Sequence, residues 1–160
     1  MKKLLYLLSV GLVLSSLALV GCGDDGGDGP TIQEQQLTAI VGTWSTKDGD
    51  GGVTQNDADA PGDWASTTFT FAAGQNNAGS YTISGQPTDD ITVFNDGGGN
   101  FTIAGTTAEN FQLVFSGGGT VDVKVNSATE IELSTTIEQD QVIGGRTQSI
   151  NGPWKFVLTK

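Results

Sequence analysis

The sequence predicts an all-β domain: an antiparallel, up-and-down β-barrel of about eight to nine strands preceded by a short N-terminal helix. Three observations carry that prediction. From Gly42 onward, threonine, valine, isoleucine and aromatic residues alternate between clusters of glycine, asparagine and aspartate, the pattern of short strands joined by turns. Each strand candidate has one apolar face, so the sheet has a single inner surface to bury. Signals for helix stop before Gly42. A sandwich would share these features, but a sheet curled on itself removes its exposed edges, which suits a protein held at high local density.

The chain opens with a segment built like a bacterial secretion signal. Lys2 and Lys3 supply positive charge, and Leu4 to Val20 is apolar apart from three serines and one glycine. Leu19-Val20-Gly21-Cys22 then places a leucine three residues before the single cysteine of the chain and a small residue directly before it. That arrangement resembles a lipobox, which implies cleavage after Gly21 and attachment of a diacylglyceryl group to the thiol of Cys22. A transmembrane anchor needs ~20 apolar residues. This run is barely that long, is broken by Gly11, Ser15 and Ser16, and ends in acidic, glycine-rich sequence. Each buried lipid methylene contributes about 0.8 kcal/mol, and stable anchoring takes roughly two chains, which a lipoprotein modification supplies.

Residues 22–30 read as a tether. Glycine makes Gly23 to Pro30 flexible and aspartate keeps it hydrated. As a coil it would hold the domain ~15 Å from the bilayer. Acidic residues soon after such a cysteine also resemble surface-export signals of some Gram-negative lipoproteins.

Residues 31–160 form the domain. Thr31 with Glu34 is a capping box, predicting a helix over Ile32 to Ile40 with Leu37, Ile40 and Val41 on one side. Strands follow at Thr43 to Lys47, Thr67 to Ala72, Ser80 to Ser84, Ile91 to Phe94 and Asn100 to Ala104. The last two flank a turn of residues tolerant of positive φ, Asn95 to Gly99. Asn110 to Phe115 and Thr120 to Val125 flank the triple glycine Gly117 to Gly119. Glu130 to Ile137, Arg146 to Ile150 and Trp154 to Leu158 complete the set.

Composition excludes several classes of function. Without Lys2 and Lys3, five basic residues face 18 acidic ones, a formal charge of −13. DNA, RNA and anionic headgroups require clusters of lysine and arginine, and none exists. There is no histidine, which rules out Ser-His-Asp triads, Cys-His dyads and histidine metal sites. No cofactor is implied. One cysteine, committed to lipid, leaves no disulfide, so stability must come from burial and backbone hydrogen bonds.

Gly42-Thr43-Trp44, opening the first strand directly after a helix, resembles the Gly-x-Trp signature of the lipocalins. The ending from Gly144-Gly145-Arg146 to Trp154–Lys160 is similar to that of small lipocalin-like lipoproteins of unknown function from Gram-negative bacteria. The resemblance implies that Gly42 and Trp44 close the barrel floor, with Arg146, the single arginine, packed on the Trp44 ring. Trp44 and Trp154 otherwise read as core. Trp64, behind Pro61-Gly62-Asp63, reads either as a ligand platform or lid, or as a packed loop anchor.

Two sets of acidic residues are candidates for chemistry. Asp48, Asp50, Asn56 and Asp59 match places one, three, nine and twelve of a calcium loop. The glycine required at place six is Val53, place five is Gly52, and no helices flank the segment, so a solvated acidic loop is the competing reading. The pairs Asp89 with Asp90, and Glu130 with Glu132, would serve a glycosidase only if two carboxyls faced each other across a cleft at about 5–10 Å. Alternation places Glu130 and Glu132 on the outer side of their strand, and the expectation is a non-enzyme.

The functional expectation is a lipoprotein of the outer membrane, periplasmic or at the cell surface, joined to the bilayer through acylated Cys22. Its domain would bind a small apolar or glycan ligand. The alternative is an accessory envelope protein whose barrel is filled by its own side chains and which acts through protein partners.

Overall fold

The computed structural model describes residues 29–87, 93–94, 97–138, 140–143 and 146–160, the backbone alone for 140–143 and 146–149. The signal segment, Cys22 and most of the tether lie outside the described residues, as do Asp89 and Asp90. Among the described residues no helix is long and apolar enough to cross a membrane.

The fold is all-β: a closed, antiparallel, eight-stranded barrel with one short helix and two extra strands attached to it. Its architecture is compatible with a lipocalin-like fold. Helix α1 spans Ile32–Ile40, and the capping box forms as expected: Glu34 N–H donates to Thr31 Oγ1 at 3.2 Å while Glu34 Oε2 accepts from Thr31 N at 2.7 Å. The barrel strands are β1 (Gly42–Thr46), β4 (Thr68–Ala73), β5 (Ala78–Ser84), β6 (Gly99–Ala104), β7 (Asn110–Phe115), β8 (Thr120–Ser127), β9 (Glu130–Ile137) and β12 (Gly152–Thr159). Neighbours in that order pair, and β1 with β12 closes the circle through Ser45↔Thr159 and Thr46↔Leu158.

The long glycine and aspartate segment holds structure that alternation alone does not reveal. β2 (Val53–Gln55) continues the line of β1 along β12, pairing Val53 with Phe156 and Gln55 with Trp154. Both halves meet at Val157, whose carbonyl accepts from Lys47 N at 2.8 Å and whose N–H donates to Gly52 O at 2.8 Å. The first barrel strand is therefore broken by an excursion at Asp48 to Gly51. Gly52 is required there, because a Cβ at that position would lie 1.9 Å from Lys47 O. β3 (Ala58–Asp59) folds back on β2 through Asn56-Asp57, both at positive φ, as a tight hairpin turn demands. Asn76-Asn77 turns β4 into β5 in the same way. A separate hairpin, β10 (Asp140–Ile143) with β11 (Arg146–Ser149), precedes β12.

One predicted strand is corrected. Val93 and Phe94 are in a bend rather than a strand, and Phe94 is buried in the core. A run of four residues of which three are apolar signals burial but does not by itself signal pairing. Its first two residues lie outside the described ones.

Side chains of the barrel itself fill its interior. Phe69, Phe101, Leu113, Ile131, Leu133, Phe156 and Leu158 are each no more than 1% exposed. Phe156 is the hub: its ring lies 5.2 Å from Phe94, 5.4 Å from Trp64 and 5.8 Å from Phe69, mostly edge to face, the arrangement aromatic quadrupoles favour. Helix α1 covers one end. Ile40 and Gln36 are buried there, and Gln36 Nε2 donates to Thr107 O at 2.6 Å in the β6–β7 connection.

Candidate functional site

The two ends of the barrel carry the tryptophans. At the helix end, Trp44 Nε1 donates to Ile40 O at 2.6 Å. At the other end, Trp154 Nε1 donates to Ile150 O at 2.8 Å. Each indole meets the carbonyl four residues earlier, so a large apolar ring is buried without an orphaned donor. Gly42 and Trp44 do sit at the helix end. Gly42 has φ +126°, and a Cβ there would press on the Lys160 side chain at 3.1 Å. The cation over the Trp44 ring is Lys160, with Nζ 4.1 Å from the ring centroid. The side chain of Arg146, the residue expected there, lies outside the described residues.

Trp64 is a plug at the opposite end. It is 6% exposed, packs edge-on against Trp154 at 5.9 Å and Phe156 at 5.4 Å, and donates from Nε1 to Pro61 O at 2.9 Å. The buried Thr46 hydroxyl donates to Trp64 O and fixes the loop to the first strand. Of the two readings of Trp64, the packed anchor matches this geometry. Phe94 is the second plug, 5.3 Å from Phe69 and 5.2 Å from Phe156.

Of the four residues in the calcium-loop spacing, Asp48, Asp50 and Asp59 border one depression and Asn56 stands apart from them. Such a loop must wrap its oxygens around one point, but Val53 to Asp59 is an extended hairpin that carries Asn56 to its tip. There Asn56 Nδ2 donates to Asn151 O at 3.2 Å. Asp59 accepts from Gly51 N at 3.0 Å and so pins the excursion in the first strand. Asp48, Asp50, Asp59 and Asp63 border a shallow depression of about 220 Å³. Among the described residues no group of three or more acidic, histidine or cysteine side chains is placed to hold a metal.

Glu130 and Glu132 alternate with buried Ile131 and Leu133 on the outer face of β9. Glu130 accepts from Lys47 Nζ at 3.2 Å and from Asn126 Nδ2 at 3.1 Å. These hydrogen bonds and the charge of Lys47 hold its carboxyl below the usual glutamate range. The carboxylate is engaged with the surface rather than facing a second one across a cleft.

A cleft of about 320 Å³ opens at the plugged end, beside Phe94 and under the Gly118-Gly119 turn. Its lining includes Phe94, Phe115, Val121, Ile137 and the phenol of Tyr81. Tyr81 is 4% exposed and its ring lies 4.7 Å from that of Phe115. Burial pushes its pKa above the ordinary tyrosine value, so the hydroxyl keeps its proton. Room for that hydroxyl comes from Gly99, where a Cβ would stand 3.4 Å from it. Alternation in β5 marks Tyr81 as inward-facing, but nothing local marks where its hydroxyl ends.

Charge is unevenly spread over the outside. The outward residues of β1, β4, β5 and β6 are threonine, serine, alanine and asparagine, with no charged side chain. Hydroxyls pair across the strands, Thr43 with Thr70 at 3.0 Å and Thr68 with Ser84 at 2.7 Å. Asp122, Lys124, Glu130, Glu132 and Lys155 all lie on β8, β9 and β12. Compared with known proteins, the chain matches no family model and no curated relative.

Proposed function

We propose that this chain is a lipid-anchored lipoprotein of the outer membrane whose lipocalin-like barrel is a filled, non-catalytic scaffold acting through its outer surface on an envelope protein partner. The observation that carries this reading is the packed interior, with Phe69, Phe101, Leu113 and Phe156 each at most 1% exposed along the barrel axis. A carrier barrel of this strand number keeps space for one small ligand, whereas a filled one gives that volume to its own side chains. The uncharged half of the barrel supports the same reading. On an acidic chain it is the face that can approach another protein without desolvating or opposing charge. Acylation at Cys22 supplies the membrane address, and the glycine and aspartate tether lets the domain turn that face outward.

Two measurements test the proposal. Fatty acids, sterols and oligosaccharides should leave the fluorescence of Trp154 and Trp64 unchanged, and a saturable change reporting on the interior would overturn the filled barrel. Cys22→Ala should abolish metabolic labelling with palmitate, and retained labelling would remove the anchor from the reading.

A further inference from the structure

Going beyond the scaffold role, we propose that Asp48 is a site of spontaneous backbone modification. At this residue the main chain rearranges through a succinimide to isoaspartate, with solvent water as the co-reactant. Aspartate and asparagine followed by glycine favour this reaction, because glycine has no Cβ to hinder attack by its own amide nitrogen. Three such junctions lie among the described residues: Asp48-Gly49, Asp50-Gly51 and Asn151-Gly152. Sequence alone treats them alike, and the tertiary structure separates them.

The chemistry needs no reagent other than water. The Gly49 nitrogen attacks Asp48 Cγ and forms an N–Cγ bond. The carboxyl hydroxyl leaves with the amide proton as water, closing a cyclic imide. Water then adds back at either imide carbonyl. Opening at Cγ restores aspartate, whereas opening at the former backbone carbonyl routes the main chain through Cβ. That product has the same mass, a longer backbone and its carboxylate on Cα.

Two of the junctions are restrained. Gly51 N–H donates to Asp59 Oδ1 at 3.0 Å, so its nitrogen is committed and faces a carboxylate that opposes loss of the proton. Gly152 opens β12 and pairs with Ile137 of β9. The Asn151 carbonyl accepts from Gln55 Nε2 at 3.1 Å and from Asn56 Nδ2 at 3.2 Å. Turning the backbone onto the Asn151 side chain would break those contacts.

Gly49 is different. Its N–H has no acceptor among the described residues. Asp48 and Gly49 are both exposed, and nothing lies within 4 Å of where a Gly49 Cβ would stand. The excursion is tied to Val157 at Lys47 and Gly52 rather than at Asp48, so the attack breaks no strand pairing. Water reaches the imide freely, and the added backbone carbon is absorbed outside the barrel.

The test follows the full chain, folded and in urea, during incubation at about pH 5, where part of the aspartate is protonated and hydroxyl can leave as water. Electron-transfer fragmentation after digestion tells isoaspartate from aspartate at each position. In the folded chain isoaspartate should accumulate at Asp48 about five- to tenfold faster than at Asp50, the factor set by breaking one backbone hydrogen bond. Urea should bring Asp50 up to the rate of Asp48, and at neutral pH it should speed the reaction of Asn151. The rate at Asp48 should be much the same in both states. Asp59→Ala, verified as folded by circular dichroism, should raise the rate at Asp50 alone. Equal rates at Asp48 and Asp50 in the folded chain, no isoaspartate at Asp48, or suppression of Asp48 by folding would overturn the site. So would a rate at Asp50 that ignores Asp59→Ala, and the comparison with urea needs no variant.

Discussion

The ammonium group of Lys160 lies 4.1 Å from the centroid of the Trp44 ring and donates a hydrogen bond to Val41 O at 2.9 Å. Residues 116 positions apart in sequence thus close the helix end of the barrel together. Val41 is the C-cap of α1, where a carbonyl lacks a helical partner, so the cation satisfies the backbone and covers the indole at once.

Lys160→Met keeps most of the aliphatic stem and removes the charge. Stability should fall by about 1 kcal/mol, from the lost cation–π contact and the orphaned carbonyl. Urea denaturation reads this as a lower midpoint at unchanged slope. An unaltered midpoint would show that Lys160 covers Trp44 without stabilising it.

Phe156 touches more aromatic rings than its neighbours and is fully buried. Phe156→Ala should cost ~3–5 kcal/mol, since a well-packed barrel interior relaxes little around the cavity. Val114→Ala, at a 37% exposed site, should stay within about 0.5 kcal/mol. Thermal unfolding of the two variants provides the comparison, and similar losses in both would contradict a filled core.

Gly97 and Gly98 both have positive φ, +84° and +95°. A Cβ on Gly97 meets nothing within 4 Å, whereas one on Gly98 would lie 1.9 Å from Tyr81 O. Gly97→Ala should therefore cost only the backbone strain, about 1 kcal/mol, and Gly98→Ala distinctly more, because β6 must move away from β5. Equal midpoints for the two variants would argue against that close approach.

Glu130 gives the pH dependence. Its folded-state pKa is depressed, so its contribution is present above the unfolded carboxylate pKa and is lost as pH falls through the folded one. Lys47→Met should flatten the acid side of the stability profile, and salt should weaken the effect in the parent protein because both side chains are solvent-exposed. An acid limb of unchanged steepness in Lys47→Met would remove the pair from the explanation.

Much of the fold was legible because the signals are local. Thr31 and Glu34 announce the helix start through one turn of backbone, and the 110–115 and 130–137 strands follow from strict alternation. Gly117 to Gly119 mark a turn, and Gly118 and Gly119 take the positive φ that glycine adopts without strain. The hairpin of Val53 to Asp59 was hidden, since its strands are short and its composition is that of a loop. The same residues imitate a calcium loop by spacing, but the hairpin carries Asn56 to its tip, away from the depression that Asp48, Asp50 and Asp59 border.

By itself, the sequence determined an all-β chain with one buried face per strand, a helix ahead of it, and an acidic surface without a basic patch. These are properties of neighbouring residues, set by alternation, capping and composition. Tertiary structure alone decided how that buried face is used. It closed the sheet through Ser45 and Thr159, set Lys160 on Trp44, drove Trp64 and Phe94 into one end of the barrel, and left the Tyr81 hydroxyl facing a cleft. Each of those outcomes depends on which distant side chains share a volume. Volume is filled by the whole fold at once, so no window of sequence contains the answer.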